Sequence, residues 1–148
     1  MSEYPYQHPG GCECGAVQFL YHCQQPLAEI TARVCKCLYC QPRAASYLSD
    51  TMSALHVQVK DLRYLYAHRF GTNTADFMYC AVCNMQVFVR SEVEGRVYAL
   101  VSARALKEFA QLQNFATMDF DGESLPERLS RRSQGWIPEL QMHCDAAG

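Results

Sequence analysis

Gly11-Cys12-Glu13-Cys14-Gly15-Ala16-Val17 opens a pattern that Cys35-Lys36-Cys37-Leu38-Tyr39-Cys40 and Cys80-Ala81-Val82-Cys83 continue. In a Cys-x-Cys pair on extended backbone the two side chains point the same way, so both sulfurs reach one ion. In a Cys-x-x-Cys pair a tight turn brings two thiolates to about 2.3 Å from a shared metal. Gly15 follows the first cluster and Asn84 the last, where such turns need a residue that tolerates positive φ. Seven of the nine cysteines fall in these clusters, and Cys23 and Cys144 stand apart. Scattered core cysteines would not group at ligand spacing, and adjacent pairs of this kind do not make a cross-linked disulfide framework.

Seven thiolates divide as four plus three. Four cysteines close a structural zinc site, whereas three leave a fourth position for water or substrate, as catalytic sites require. Spacing alone leaves two partitions. Cys37 and Cys40 with Cys80 and Cys83 would form an ordinary zinc ribbon and leave Cys12, Cys14 and Cys35 over. The preferred partition keeps Cys35, Cys37 and Cys40 together, because three ligands within six residues form a site locally, and closes the other site with Cys12, Cys14, Cys80 and Cys83.

Outward from the clusters, residues 16–22 alternate with Val17, Phe19 and Tyr21 on one face, a half-buried strand. Residues 55–60 alternate as well, with Leu55, Val57 and Val59 opposite His56, Gln58 and Lys60. A turn at Gly71-Thr72-Asn73 precedes a strand over 77–80. Cys83-Asn84 should reverse the chain into 86–90, a hairpin with metal at its tip, and Glu94-Gly95-Arg96 should turn it into a strand over 97–102. Residues 103–113 carry apolar positions at helical spacing and fit either a short helix or a loop with one turn. The expected organisation is a flexible N-terminus over 1–9, one mostly β, zinc-built domain over 10–125, and a polar tail over 126–148 that docks through Trp136-Ile137-Pro138.

Composition bounds the function. The chain has 148 residues, 49% apolar and 19% charged, enough for one folded core. The longest unbroken apolar run, 77–83, is far short of the roughly 20 residues that span a bilayer. Residues 1–11 have no basic start and no apolar stretch, so no secretory signal is read there and a cytoplasmic address is expected. Thirteen Lys and Arg against fifteen Asp and Glu give a formal charge of −2, and metal-bound thiolates would make the protein more acidic. A nucleic-acid partner is not expected, nor a membrane.

The three clusters in this order resemble the glutathione-dependent formaldehyde-activating enzyme family, which includes centromere-protein-V-like members. Arg69-Phe70-Gly71-Thr72-Asn73-Thr74-Ala75, Val101-Ser102-Ala103-Arg104-Ala105-Leu106 and Phe120-Asp121-Gly122 extend the resemblance to about residues 10–123. It implies a β-tent of zinc-ribbon-like antiparallel sheets, a structural zinc on Cys12, Cys14, Cys80 and Cys83, and a catalytic zinc on Cys35, Cys37 and Cys40. The sequence departs from the family at Lys36, where members often have His, at Asn84, where they have Gly, and over residues 41–46.

Three thiolates make zinc a weaker Lewis acid than three histidines, which favours activating a thiol over activating water. The expected chemistry is therefore that of an S-(hydroxymethyl)glutathione synthase-like carbon-sulfur lyase, with two zinc ions and glutathione as co-substrate beside a small aldehyde. The alternative is a non-catalytic zinc-stabilised binding module of the same fold. His22, His56, His68 and His143 lie outside the clusters and read as surface or hydrogen-bonding residues. Arg43 is a candidate partner for a glutathione carboxylate, and Tyr39 and Phe70 candidate pocket walls.

Overall fold

A computed structural model describes residues 4–35, 45–69, 74–118 and 123–145. Two open sheets carry the fold. The smaller is built from β1 (Tyr6–Gly11), β2 (Val17–Cys23), β5 (Ala54–Val59) and β11 (Glu139–Cys144), in the order β1-β2-β5-β11. The larger holds β3 (Thr31–Cys35), β4 (Ser46–Leu48), β6 (Leu65–His68), β7 (Asp76–Cys80), β8 (Gln86–Val93), β9 (Arg96–Ser102) and β10 (Asn114–Met118), in the order β10-β3-β4-β9-β8-β7-β6. One helix, α1 (Leu125–Gly135), precedes β11.

Period-two patterning decides which faces meet. Val17, Phe19 and Tyr21 of β2 and Leu55, Val57 and Val59 of β5 are buried in one core with Leu48, Met78, Phe88, Ala99 and Val101 of the larger sheet. That core fills the space between the sheets. The opposite face of the larger sheet has its own smaller core of Ala45, Tyr47, Ala75, Val89, Leu100 and Trp136, against which Cys35, Phe77 and Tyr98 pack. The larger sheet is therefore apolar on both faces, in layers with the smaller sheet on one side and the α1 end of the chain on the other.

Antiparallel pairing from β3 through β7 brings several strand ends together. Val34 pairs with Ser46, Tyr47 with Ser102, Phe88 with Val101, and Tyr79 with Gln86. The ends of β3, β9 and β7 and the beginnings of β4 and β8 thus lie at one edge of the sheet, and this edge carries the site.

The strands read over 16–22, 55–60, 77–80, 86–90 and 97–102 are present, with ends shifted by a residue or more. Residues 103–113 form two 3-10 turns, Ala103–Ala105 and Phe109–Gln111, and no α-helix. The N-terminus expected to be flexible over 1–9 is strand from Tyr6 onward. β1 lies at a sheet edge, where Pro9 costs no hydrogen bond to a further neighbour. The 126–148 stretch expected to be a polar tail contains most of α1 and all of β11. β11 adds to β5 in parallel, from Glu139 opposite Ala54 to Cys144 opposite Val59. The turn at Gly71-Thr72-Asn73 lies outside the described residues. Among the described residues no helix is long and apolar enough to cross a membrane.

Candidate metal centre and the cavity beside Cys35

Cys12 and Cys14 sit in the loop joining β1 to β2. Cys12 N–H donates to Val17 O at 2.9 Å, and Gly15 N–H returns to Cys12 O at 3.2 Å with φ of 81°, the conformation glycine tolerates. Cys80 and Cys83 sit in the turn between β7 and β8. Cys80 N–H donates to Met85 O at 2.9 Å and Asn84 N–H to Cys80 O at 2.8 Å, with Asn84 at φ 62°. These two knuckles, one from each sheet, come together where Cys12 and Cys80 join the main core.

The four sulfurs lie within 4.8 Å of one another. Cys12 Sγ is 3.5 Å from Cys14 Sγ, which is 3.5 Å from Cys80 Sγ. Tetrahedral ligation with metal–sulfur bonds of 2.3 Å sets edges of about 3.8 Å, so the set fits a four-coordinate ion with little adjustment. The backbone supports it: Val17 N–H donates to Cys12 Sγ at 3.3 Å and Val82 N–H to Cys80 Sγ at 3.4 Å, contacts that stabilise thiolates. Burial pushes the Cys80 thiol up to about 12. Burial also works to raise Cys83, but backbone hydrogen bonds at Cys14 and Met85, with those of the neighbouring thiols, outweigh it and bring Cys83 down to about 7. Packed this closely, the four thiols can ionise together only against a cation, and one metal ion supplies it.

Cys35 ends β3 on the other face of the larger sheet, packed against the second core. Its N–H donates to Ala45 O at 3.4 Å. Ala45 in turn lines a cavity of about 410 Å³ with Tyr79, Gln86, Ser102, Arg104 and His68. Gln86 Nε2 donates to the Tyr47 hydroxyl at 2.9 Å, and the Tyr66 hydroxyl donates to Asn84 Oδ1. Residues 84–86 continue directly from Cys83, so the knuckle that presents two cluster sulfurs on one face shapes the cavity wall on the other.

Residues 7–118 match the model of the glutathione-dependent formaldehyde-activating enzyme family. The chain belongs to this family. The match spans all three cysteine clusters and ends within β10, so α1 and β11 lie beyond it. No curated protein matches the chain. Among solved structures, the crystal structure of a Rhodobacter sphaeroides protein is 23% identical, covering 73% of this chain and 99% of that one with a TM-score of 0.52, a likeness of fold.

Of the site residues read from the sequence of this family member, the structure brings Cys12, Cys14, Cys80 and Cys83 together. Cys35, at the end of β3, is the last described residue before the rest of its triplet. Cys37, Cys40, Tyr39, Arg43 and Phe70 lie outside the described residues. No histidine joins the four-sulfur cluster among the described residues. His22 and His56 instead form a ring pair, centroids 4.4 Å apart, on the smaller sheet, and His143 lies 3.6 Å from Asp145. His68 lines the cavity. Tyr79, Gln86 and Ser102 also line that cavity; they come from three strands with no shared motif and meet only through sheet register.

Proposed function

We propose that this protein adds the thiol of glutathione to the carbonyl carbon of formaldehyde, or of a closely related aldehyde, to give an S-(hydroxymethyl)glutathione-type adduct. The observation that carries the reading is the family match, which takes in all three cysteine clusters in one span. In the reaction a carbon–sulfur bond forms, the carbonyl π pair moves to oxygen, and the thiol proton ends on that oxygen. A zinc ion on Cys35, Cys37 and Cys40 would supply a Lewis acid that keeps a thiol ionised near neutral pH.

The chain's own residues have separate tasks in this reading. Cys35 is held at a strand end by its N–H to Ala45, so the triplet starts from rigid sheet. Cys12, Cys14, Cys80 and Cys83 hold a second, structural zinc, and two open sheets meeting at that ion agree with a β-tent of zinc-ribbon type. Seven metal-ready thiols suit a reducing, cytoplasmic setting.

Thiols add to formaldehyde unaided, so the test is the rate of adduct exchange with and without the metal-loaded protein, followed by magnetisation-exchange NMR. Turnover above the uncatalysed rate is expected, with Cys37→Ser losing it while keeping the fold. A folded, metal-loaded protein giving no acceleration would point to a zinc-stabilised binding module, and a Cys37→Ser protein with full turnover would overturn the assignment of the triplet.

A further inference from the structure

The four sulfurs of the metal centre are not equally placed. Cys12 and Cys80 are buried, Cys83 is half-buried and Cys14 is exposed. The cluster lies open on that side, because Glu13 beside Cys14 and Ala81 and Val82 of the other knuckle are exposed as well. Cys14 Sγ stands 3.5 Å from Cys12 Sγ and 3.5 Å from Cys80 Sγ. An accessible thiolate with a second thiol in contact is the arrangement that a small oxidant attacks and a neighbouring sulfur then resolves as a disulfide. Cys23 offers a contrast: it is buried, and its thiol donates to Gln25 O at 3.3 Å.

Two sulfurs touch Cys14, and chain geometry separates them. Cys12 is two residues away in sequence. A bond between them closes a small ring through two planar peptide units, which leaves the S–S torsion little room to reach its preferred value of about 90°. Cys80 is 66 residues away, on the hairpin of the other sheet, and a bond to it closes no such ring. A Cys14–Cys80 disulfide would therefore join the same two hairpins that the metal joins.

We propose that Cys14 is a site of modification by hydroperoxides and that Cys80 resolves it, so that oxidation exchanges the zinc link between the sheets for a disulfide. The proposal rests on the structural-zinc reading above. Cys14 Sγ attacks the terminal peroxide oxygen, the O–O bond breaks, and the hydroxide or alkoxide that leaves takes a proton from water. Cys14 is then a sulfenic acid, its sulfur oxidised by two electrons and the peroxide reduced by two. Cys80 Sγ attacks that sulfur, the S–S bond forms, and hydroxide leaves and is protonated to water. Zinc keeps only Cys12 and Cys83 of its four ligands and is released. A thiol reductant reverses the exchange by returning both thiols.

The test treats the zinc-loaded full chain with hydrogen peroxide, follows released zinc with a colorimetric chelator, and maps thiols and disulfides by mass spectrometry of its peptides. The parent is expected to lose zinc in step with the appearance of a Cys14–Cys80 linked peptide, to keep a cooperative thermal transition, and to take zinc up again after dithiothreitol. Cys14→His keeps a ligand for zinc but has no sulfur to oxidise. It should release zinc from this site at least tenfold more slowly, read as the protection of Cys80 and Cys83 from alkylation. Should Cys14→His fail to take up zinc, the peptide map of the parent decides on its own. Zinc loss with Cys14 unmodified, a disulfide joining Cys14 to Cys12, an oxidised parent without a cooperative transition, or a zinc-loaded Cys14→His protein as sensitive as the parent would each overturn the proposal. The metal reading fails separately. If Cys12, Cys14, Cys80 and Cys83 alkylate freely in the zinc-loaded protein, that reading falls and the proposal with it; if they are protected and peroxide leaves them reduced, the proposal alone falls.

Discussion

Gly11 shows how closely single residues are constrained around the first knuckle. It sits at φ 150°, and a Cβ there would lie 2.4 Å from Val17 O and 2.9 Å from Gln18 Cα, both backbone atoms that cannot swing aside. Gly11→Ala is expected to cost about 1–3 kcal/mol, read as a lowered urea midpoint of the metal-loaded protein, and an unchanged midpoint would contradict the geometry. The turn residues Gly15 and Asn84 were legible in the sequence, because positive φ has a short list of tolerant residues, and they stand at φ 81° and 62°. His22 was not legible. It reads as a polar-face residue, yet neither ring nitrogen has a partner among the described residues and its ring meets that of His56. Burial, then the His56 charge, lowers its pKa from the ordinary imidazole value. The sign follows from linkage. Above the unfolded value of about 6.5 the ring is neutral in both states and has no effect. As pH falls through that value the unfolded chain takes up the proton first, so stability declines until the folded value is reached. An NMR titration should show His22 with a midpoint below the ordinary imidazole value of about 6.5, and a midpoint at or above that value would refute the assignment.

At the scale of elements, alternation around the clusters made β2, β5, β7, β8 and β9 legible, because each buries one face and keeps the period-two pattern. The short or edge strands were not. β4 has three residues, β1 carries Pro9 and two glycines, and β3 and β10 pair in parallel across a long stretch of chain, leaving no local turn to announce them. The helix carries a local signal of its own. Ser124-Leu125-Pro126-Glu127 has the spacing of a capping box with proline in the first turn, where its missing N–H is harmless, although the polar composition from residue 126 onward reads as a docking tail. In the structure Glu127 N–H donates to Ser124 Oγ at 3.3 Å and Ser124 N–H to Glu127 Oε1 at 3.2 Å. The helix then buries Arg132, which donates to Thr74 O, Thr74 Oγ1 and Ser91 Oγ and lies over Trp136 at 5.1 Å. Ser124→Ala should therefore cost about 1 kcal/mol. The check is a lowered thermal transition with the spectrum of the folded state unchanged, and Ser124→Asp, which caps as well, should restore it.

Across the whole molecule the four-sulfur cluster joins the two sheets. Cys12 and Cys14 belong to the β1–β2 hairpin of the smaller sheet, Cys80 and Cys83 to the β7–β8 hairpin of the larger, and Cys14 and Cys80 touch across 66 residues of sequence. A zinc ion held by thiolates in small domains contributes about 10–16 kcal/mol at neutral pH, as much as the whole stability of a typical domain, about 5–15 kcal/mol. Removing it should therefore unfold more than the knuckles. Trp136 distinguishes the outcomes, because it is buried in the second core, on the far face of the larger sheet from the cluster. If the metal holds the sheets together, a strong chelator should abolish the cooperative thermal transition and shift Trp136 emission to the red. Cys80→Ser should reproduce both effects without chelator, and adding zinc back should reverse them only in the parent. If the metal merely orders two loops, the chelated protein should keep a blue Trp136 emission and a transition within a few degrees of the parent. That result would mean the two apolar cores suffice and would return the cluster to a local role.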